Sequence, residues 1–354
     1  DIADKSIEAG GGATATASAN SISIQIVAKK EKFDDYFKFM MQVLKNPKFE
    51  QSQFDLIKSQ TLSALDRPYT EPETVAALTM TRLLETYQPG DLRYHFEPDL
   101  AKQQIRAATV EQVKKLYQDF FVSNHAQIAI TGDYQAKPML ALVQKEFSGW
   151  KAQLPYQRLS SDYQAYPAQK IHALSEQREF GSYQSILTFP AGANHSDATA
   201  LIVFSYILGD SQLSSRLAQE LREKNALVYG FGSDVELDDW VDSGALTIDA
   251  NYTAGKSAQV SQGVRKVLND LLTKGVTEQE LEAAKANILK KRVTTLEDER
   301  NIHQMLTPQL ERDRDLLFRE KRDQALAKLT KADVDAVIKK YMKLDQLIED
   351  MEDQ

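Results

Sequence analysis

An internal repeat is the feature that most constrains how this chain folds. The apolar positions of one helix face recur at a constant offset in the second half, as Phe33, Phe37, Met40, Met41 and Leu44 against Val260, Val264, Val267, Leu268 and Leu271. The next helix keeps this offset, and a third recurs at a slightly shorter one, with Thr109, Val113 and Phe121 against Thr330, Val334 and Met342. A register kept over three helices indicates two copies of one structural module.

The repeat also predicts that the first copy is incomplete. The second copy begins near Gln169, so the matching start of the first copy falls about fifty residues before Asp1. We therefore expect the first module to lack its opening strands and one helix. The sheet edge left open must then be covered by a preceding segment or another chain.

The hydrophobic periodicity predicts an α+β fold with a boundary near the middle of the chain. Alternation in Ala13–Ala28 predicts strand, and so do the short apolar run His125–Ile130 and the segment Tyr183–Phe189. Longer periods between them predict helices. Residues 151–168 are polar, contain Pro155 and Pro167, and show no sustained period. We predict a truncated module over 1–150, a linker over 151–168 and a complete module over 169–354.

The composition excludes several classes of protein. With 51 acidic against 43 basic residues, the net charge of -8 disfavours a nucleic-acid-binding protein. No apolar run approaches the roughly 18 residues needed to cross a bilayer. The sequence has no cysteine, which excludes disulfides, cysteine catalysis and thiolate metal sites.

The sequence also contains no complete catalytic motif. None of its five histidines pairs with another at the spacing of a zinc-binding helix, and it has no H-E-x-x-H or H-x-x-E-H. There is no phosphate-binding Walker loop and no G-x-G-x-x-G. We interpret the chain as carrying no self-contained active site.

The segment Ser214–Tyr229 carries the most chemical information. It places Arg222 in the last turn of a helix and Tyr229 in the strand that follows. Arginine offers a planar fork of donors for carbonyls or carboxylates. A tyrosine hydroxyl can stabilise negative charge that develops on a carbonyl oxygen. Alternatively, Arg222 complements the helix dipole and Tyr229 packs in the sheet, and composition alone favours this second interpretation.

The residues of this segment follow the pattern S-R-L-x-x-x-L-R-x-x-x-x-L-x-Y, which resembles a signature of the pitrilysin/insulinase family of zinc metallopeptidases. Leu44–Phe49 resembles the helix-end pattern L-x-N-P-x-F of that family, and Val276–Leu281 the start of its long helix. Thr109–Asp133 resembles the end of a family module. The resemblance covers nearly the whole chain and implies homologous modules, each a mostly antiparallel sheet packed against helices.

The resemblance implies roles for two residues. In the family, an H-x-x-E-H helix and a downstream glutamate hold zinc, and an arginine and a tyrosine reach that site from the opposite half. By match to the motif, Arg222 would bind substrate, and Tyr229 would bind substrate and support the transition state. The zinc motif would precede Asp1, and Ala64 stands at the position expected for the downstream glutamate. We therefore expect no metal ligand in this chain.

The resemblance thus implies the C-terminal, non-zinc half of a long zinc metalloendopeptidase, inactive alone. Its partners would be an N-terminal zinc-bearing half and peptide substrates. One alternative is a separate non-catalytic subunit that pairs with a zinc-bearing chain. Another is a scaffold or binding protein without peptidase activity. The resemblance also favours a bacterial protein, and the periplasm over the cytoplasm.

Overall fold

A computed structural model describes residues 1–18, 20–66, 71–95, 97–121, 125–151, 154–174 and 179–353. The strands are β1 (Gly12–Ala17), β2 (Ile22–Val27), β3 (Gln169–Leu174), β4 (Phe180–Phe189), β5 (Val228–Leu237), β6 (Gly244–Thr253) and β7 (Ile348–Asp353). The helices are α1 (Ile2–Ala9), α2 (Lys30–Lys45), α3 (Gln51–Leu65), α4 (Pro72–Leu83), α5 (Pro98–Ala107), α6 (Val110–Phe120), α7 (Ala136–Phe147), α8 (Ala198–Ser205), α9 (Ser257–Lys274), α10 (Glu278–Leu296), α11 (Glu299–Glu311), α12 (Phe318–Lys328) and α13 (Lys331–Tyr341). No helix of these ranges is long and apolar enough to cross a membrane.

The chain divides into two compact units. The first comprises Asp1–Pro68, Tyr87–Leu159 and Asp298–Glu311, and the second comprises Tyr69–Thr86, Ser160–Glu297 and Arg312–Gln354. These units are defined by packing, whereas the predicted modules are defined by the sequence repeat. The module boundaries therefore stay a prediction.

In the first unit, strands β1 and β2 form an antiparallel hairpin in which Gly12 pairs with Val27. Its small core contains Ala9, Tyr36 and Met40. The prediction of a strand over His125–Ile130 is wrong, because His125 lies in a turn and residues 126–130 form no regular secondary structure. By the repeat they correspond to β7, which is paired on both sides with β3 and β4. A strand without neighbours cannot satisfy its backbone groups in a sheet.

The second unit is built on one five-stranded sheet in the order β3-β7-β4-β6-β5. Only the β3–β7 pair of this sheet is parallel, and the other three pairs are antiparallel. The mixed α+β fold predicted from the sequence is confirmed. Because side chains alternate across a sheet, Tyr183, Leu187 and Phe189 of β4 enter the apolar core on one face. Helices α8, α9 and α13 contribute to the same core.

The structure reproduces the repeat in its helices. The starts of α2 and α9 are separated by the same offset that relates Phe33 to Val260, and so are the starts of α3 and α10. The starts of α6 and α13 are separated by the offset that relates Thr109 to Thr330. These two threonines each form a reciprocal capping box with the third residue of their helix. A capping box satisfies two backbone donors at a helix start, so each copy begins this helix with the same local device.

Two acidic side chains of β7 are buried on opposite faces of the sheet. Glu349 accepts hydrogen bonds from Tyr183 Oη at 3.1 Å, Ser261 Oγ at 2.7 Å and Arg265 Nε at 2.6 Å. Helix α4 packs against β4 and β7. Asp350 is fully buried, and neither of its carboxylate oxygens has a hydrogen-bond partner in the described part of the chain. Burial raises the pKa of Asp350 from 3.8 to about 6.

The raised pKa of Asp350 predicts how stability depends on pH. The folded protein favours the neutral carboxyl group, so this contribution is complete below the unfolded pKa and is lost as the pH rises through the folded value of about 6. We expect the free energy of unfolding to fall by about 2 kcal/mol between about pH 4 and 7 through this group. In the variant Asp350→Asn, the free energy of unfolding, measured by urea unfolding at each pH, should lose this part of its dependence on pH. Asp345→Asn, at an exposed position, is the control; an unchanged slope in Asp350→Asn would contradict the assignment.

Candidate functional site

The segment predicted to be functional lies in the second unit and begins as an irregular helix. Residues Ala218–Lys224 form a π-helical turn, a rare geometry that is enriched at functional sites. The segment buries Leu217, Ala218 and Leu221. Leu221 packs against Gly263 of α9, where a Cβ atom in place of the glycine hydrogen would lie 2.5 Å from the leucine side chain. The glycine therefore allows the segment to lie close to α9.

A salt bridge fixes the segment at its start. The guanidinium of Arg216 donates two hydrogen bonds to the carboxylate of Glu280 in α10, one from Nε to Oε1 and one from Nη2 to Oε2 at 2.9 Å. The hydrogen-bonded Glu280 carboxylate raises the pKa of Arg216 above its ordinary value. Glu280 also accepts from the backbone N–H of Thr277 at the start of α10. The position of the segment is therefore set by the capped end of a neighbouring helix.

A tight turn joins the helix to β5. Ala226 has a φ of 47°, in the left-handed region that often ends helices. The backbone N–H of Leu227 donates to Leu221 O at 2.8 Å, and Asn225 Nδ2 donates to Glu220 O at 2.6 Å. The Glu220 carboxylate is held in turn by Lys266 of α9 at 2.6 Å. These bonds fix the direction in which the chain leaves the helix.

Tyr229 lies at a β-bulge. Val228 pairs with Tyr252 of β6 and Gly230 pairs with Asn251, so Tyr229 is the additional residue on β5. Bulges change the direction of a side chain relative to the regular strand alternation. The Tyr229 side chain is accordingly 63% exposed, whereas Val228 is buried. The bulge therefore directs the ring to solvent, and the role of Tyr229 in substrate binding stays a prediction.

Two contacts orient the exposed ring of Tyr229. Its hydroxyl lies 3.1 Å from Thr253 Oγ1 at the end of β6. Its ring meets Phe180 of β4 edge to face, with ring centres 5.2 Å apart. Sequence reasoning missed both partners, because strand pairing between β4, β5 and β6 brings together residues that are distant in the sequence. Since one hydroxyl can both donate and accept, the contact with Thr253 leaves it able to bind a ligand.

Arg222 is exposed at the last turn of the helix. Its side chain makes no hydrogen bond or ion pair with any residue that the structure describes. The structure thus places Arg222 and Tyr229 on either side of one fixed turn, with no bond between them. An arginine fork and a tyrosine hydroxyl presented in this way suit a peptide backbone or carboxylate.

Ala64 lies near the end of α3, a helix that buries none of its side chains. A methyl group offers no lone pair to zinc, so this residue does not fit the ligand expected at its position. No group of three or more potential metal ligands occurs among the described residues. The chemistry that the site residues can supply is hydrogen bonding and charge.

A comparison with protein-family models matches residues 107–288 to the model described as the peptidase M16 inactive domain. Among curated proteins, the chain is 29% identical over 203 residues to an uncharacterized zinc protease of Mycobacterium leprae. That match covers 55% of this chain and 43% of the relative. A Helicobacter pylori protein named a non-peptidase homolog is 22% identical over 276 residues, with 76% of this chain and 60% of the relative covered. The chain therefore spans less than two thirds of the length of these relatives.

Solved structures share the fold. A peptidase M16 inactive domain from Pseudomonas fluorescens superposes with a TM-score of 0.86 at 20% identity, covering 99% of this chain and 82% of that one. The periplasmic protease PqqL of Escherichia coli gives a TM-score of 0.73 at 15% identity, covering 99% of this chain and 38% of that one. At these identities the likeness concerns the fold alone.

Proposed function

The chain belongs to the peptidase M16 family through its match to the inactive-domain model, and on that premise we propose that it is the non-catalytic half of a zinc metalloendopeptidase. In this proposal it closes a chamber over a peptide and supplies Arg222 and Tyr229 to a zinc site on another half. The observation that carries the proposal is the pair of exposed side chains on a rigid turn. The zinc protease names of several relatives support it.

The roles of the two residues follow from their chemistry. The guanidinium of Arg222 donates to backbone carbonyls of the peptide and holds it in position. The Tyr229 hydroxyl donates to the carbonyl oxygen that becomes negatively charged as the peptide bond is attacked. Zinc on the other half supplies an activated water and a Lewis acid when bound. This chain contributes the opposite wall of the site and is inactive alone.

A second candidate is a binding or scaffold protein without peptidase activity. The name of the Helicobacter pylori relative favours it. A pure scaffold has no need of an arginine and a tyrosine exposed on one fixed turn, which is why we favour the peptidase half. A separate subunit that pairs with a zinc-bearing chain would use the same two residues. The coding sequence upstream of Asp1 distinguishes a single chain from a pair of subunits.

The compartment is part of the proposal. A structural relative is named a periplasmic protease, and we propose the bacterial periplasm for this protein. The chain has no cysteine, which is compatible with that compartment and with the cytoplasm. Fractionation of cells that express the full-length protein would decide between them.

The variant Tyr229→Phe tests the transition-state role. When the chain is combined with the zinc-bearing half, we expect kcat for peptide cleavage to fall by more than about tenfold, the scale of losing one oxyanion donor. Tyr206→Phe serves as a matched control, because Tyr206 packs beside the core of the second unit and should leave kcat unchanged. Wild-type kcat in Tyr229→Phe would contradict the role. The control Thr253→Val separates loss of the donor from loss of ring orientation.

The variant Arg222→Lys tests substrate binding. Lysine keeps the positive charge but lacks the planar fork, so we expect KM to rise by about threefold to tenfold with a smaller change in kcat. Because Arg222 is exposed and makes no polar contact with the described residues, thermal stability should stay the same. Lys224→Arg, two residues along, controls for charge near the turn. An equal effect of both substitutions on KM would count against a specific role for Arg222.

Metal analysis tests where the zinc resides. We expect this chain, after equilibration with zinc and removal of free metal, to hold far less than one zinc per molecule, because no described residues form a ligand set. Mass spectrometry of the metal content gives the measurement, with the zinc-bearing half as positive control. One tightly bound zinc per chain would overturn the assignment of the metal to the other half.

A further inference from the structure

A pocket in the first unit lies at the helix-end pattern Leu44–Phe49, which the proposed function does not use. It is an open pocket with a volume of about 410 Å³, lined by the end of α2, by α6 and by Trp150 and Lys151. Ligand pockets span about 300–1,000 Å³, so this volume suits a single amino-acid-sized group. We call it the helix-end pocket.

Four of the residues that line the helix-end pocket are aromatic. Tyr117 stacks on Phe121 with ring centres 4.4 Å apart, Phe49 meets Tyr117 edge to face at 5.4 Å, and Trp150 meets Phe121 at 5.5 Å. The Tyr117 hydroxyl donates to Leu44 O, and burial raises the pKa of Tyr117 to about 12. The tyrosine is therefore neutral near pH 7 and brings no negative charge to the pocket.

The pocket rim is positively charged. Lys114 and Lys151 line it and are exposed. Neither has an ion pair within the described residues. A third lining lysine, Lys45, has Glu146 at 3.9 Å. Unpaired ammonium groups beside aromatic rings favour a ligand that is anionic at one end and aromatic or apolar at the other.

The second copy of the repeat shows which group binds the backbone N–H that corresponds to that of Phe49. By the offset that relates Thr109 to Thr330, Lys114 corresponds to Asp335. Asp335 Oδ1 accepts a hydrogen bond from the backbone N–H of Val276 at 2.9 Å. By the offset that relates α3 to α10, Val276 corresponds to Phe49. The second unit therefore carries its own carboxylate at this position.

The first copy has no such carboxylate. The backbone N–H of Phe49 has no hydrogen-bond partner in the part of the chain that the structure describes. Phe49 also adopts a φ of 50°, in the left-handed region that is a genuine outlier for a bulky residue. Such strain is often found at ligand sites. A backbone donor without a partner, in a pocket that Lys114 also lines, makes this place complementary to an external carboxylate.

We propose that the helix-end pocket binds a carboxylate attached to an apolar or aromatic side chain, as found at the C-terminus of a peptide. The ligand carboxylate accepts from the Phe49 N–H and pairs with Lys114 and Lys151, as the Asp335 carboxylate does with Val276 in the second unit. The ligand side chain stacks on Phe121 and Trp150. This site is independent of Arg222 and Tyr229, so its test does not depend on the peptidase proposal.

Titration calorimetry of the whole chain tests the ligand chemistry. N-acetylphenylalanine is the probe, and its neutral amide is the matched control. We expect the amide to bind at least about tenfold more weakly, because it loses the charge-assisted hydrogen bonds. A peptide ending in phenylalanine should bind at least as tightly as the acetyl amino acid. Equal affinity of acid and amide would overturn the proposal, and binding of the acid with exclusion of the peptide would overturn its assignment to a C-terminus.

Substitutions locate the bound carboxylate. Lys114→Gln should weaken N-acetylphenylalanine binding by about tenfold, and Lys114→Asp should abolish it, because that change supplies an internal carboxylate like that of the second copy. Lys115→Gln is the control, since Lys115 pairs with Asp119 and does not line the pocket. Circular dichroism checks that each variant folds. Unchanged affinity in Lys114→Gln, or an equal loss in Lys115→Gln, would contradict the site.

Discussion

The second unit depends on the pairing of its last strand. Strand β7 comes last in sequence order among the strands of this sheet. It nevertheless lies between β3 and β4 and is hydrogen-bonded on both sides. Its Glu349 is held by Arg265 and Ser261 of α9, so the same strand ties the sheet to the helix layer. Helix α9 in turn carries Gly263 and Lys266, which position the segment before β5. The direction of Tyr229 is therefore linked to contacts made by β7, a strand far from it in the sequence.

That dependence explains the rigidity of the candidate site. A substrate-binding pair is useful only if its geometry exists before the substrate arrives, since ordering it on binding would cost affinity. The salt bridge of Arg216 with Glu280, the left-handed Ala226 and the bulge at Tyr229 each remove a degree of freedom from the turn. Arg222 and Tyr229 are left exposed at its ends. The irregular features of the segment thus serve to place two side chains, which a regular helix and strand would not do.

The sequence predicted the starts of helices more accurately than the side-chain contacts that depend on strand pairing. The repeat offsets located the starts of α9, α10 and α13 from their first-unit counterparts, because helix caps and apolar periods are local signals. The prediction of a strand at His125–Ile130 failed because a strand forms only where it can pair with a neighbouring strand. The bulge at Tyr229, the contact with Phe180 and the orphaned carboxyl of Asp350 depend on sheet register. No local pattern in one sequence encodes that register, so these features could be found only from the structure.

The two copies of the repeat have diverged at positions that carry chemistry while keeping the helices that support them. The shared capping boxes at Thr109 and Thr330 show that the framework of the third helix is unchanged. Within that framework, an aspartate that satisfies a backbone donor in the second copy corresponds to a lysine in the first. The corresponding backbone donor of the first copy, the N–H of Phe49, has no partner among the described residues, so it can donate to an external carboxylate. The divergence of one residue on a shared helix is thus a physical reason to expect binding at the first copy, separate from the chemistry that Arg222 and Tyr229 contribute at the second.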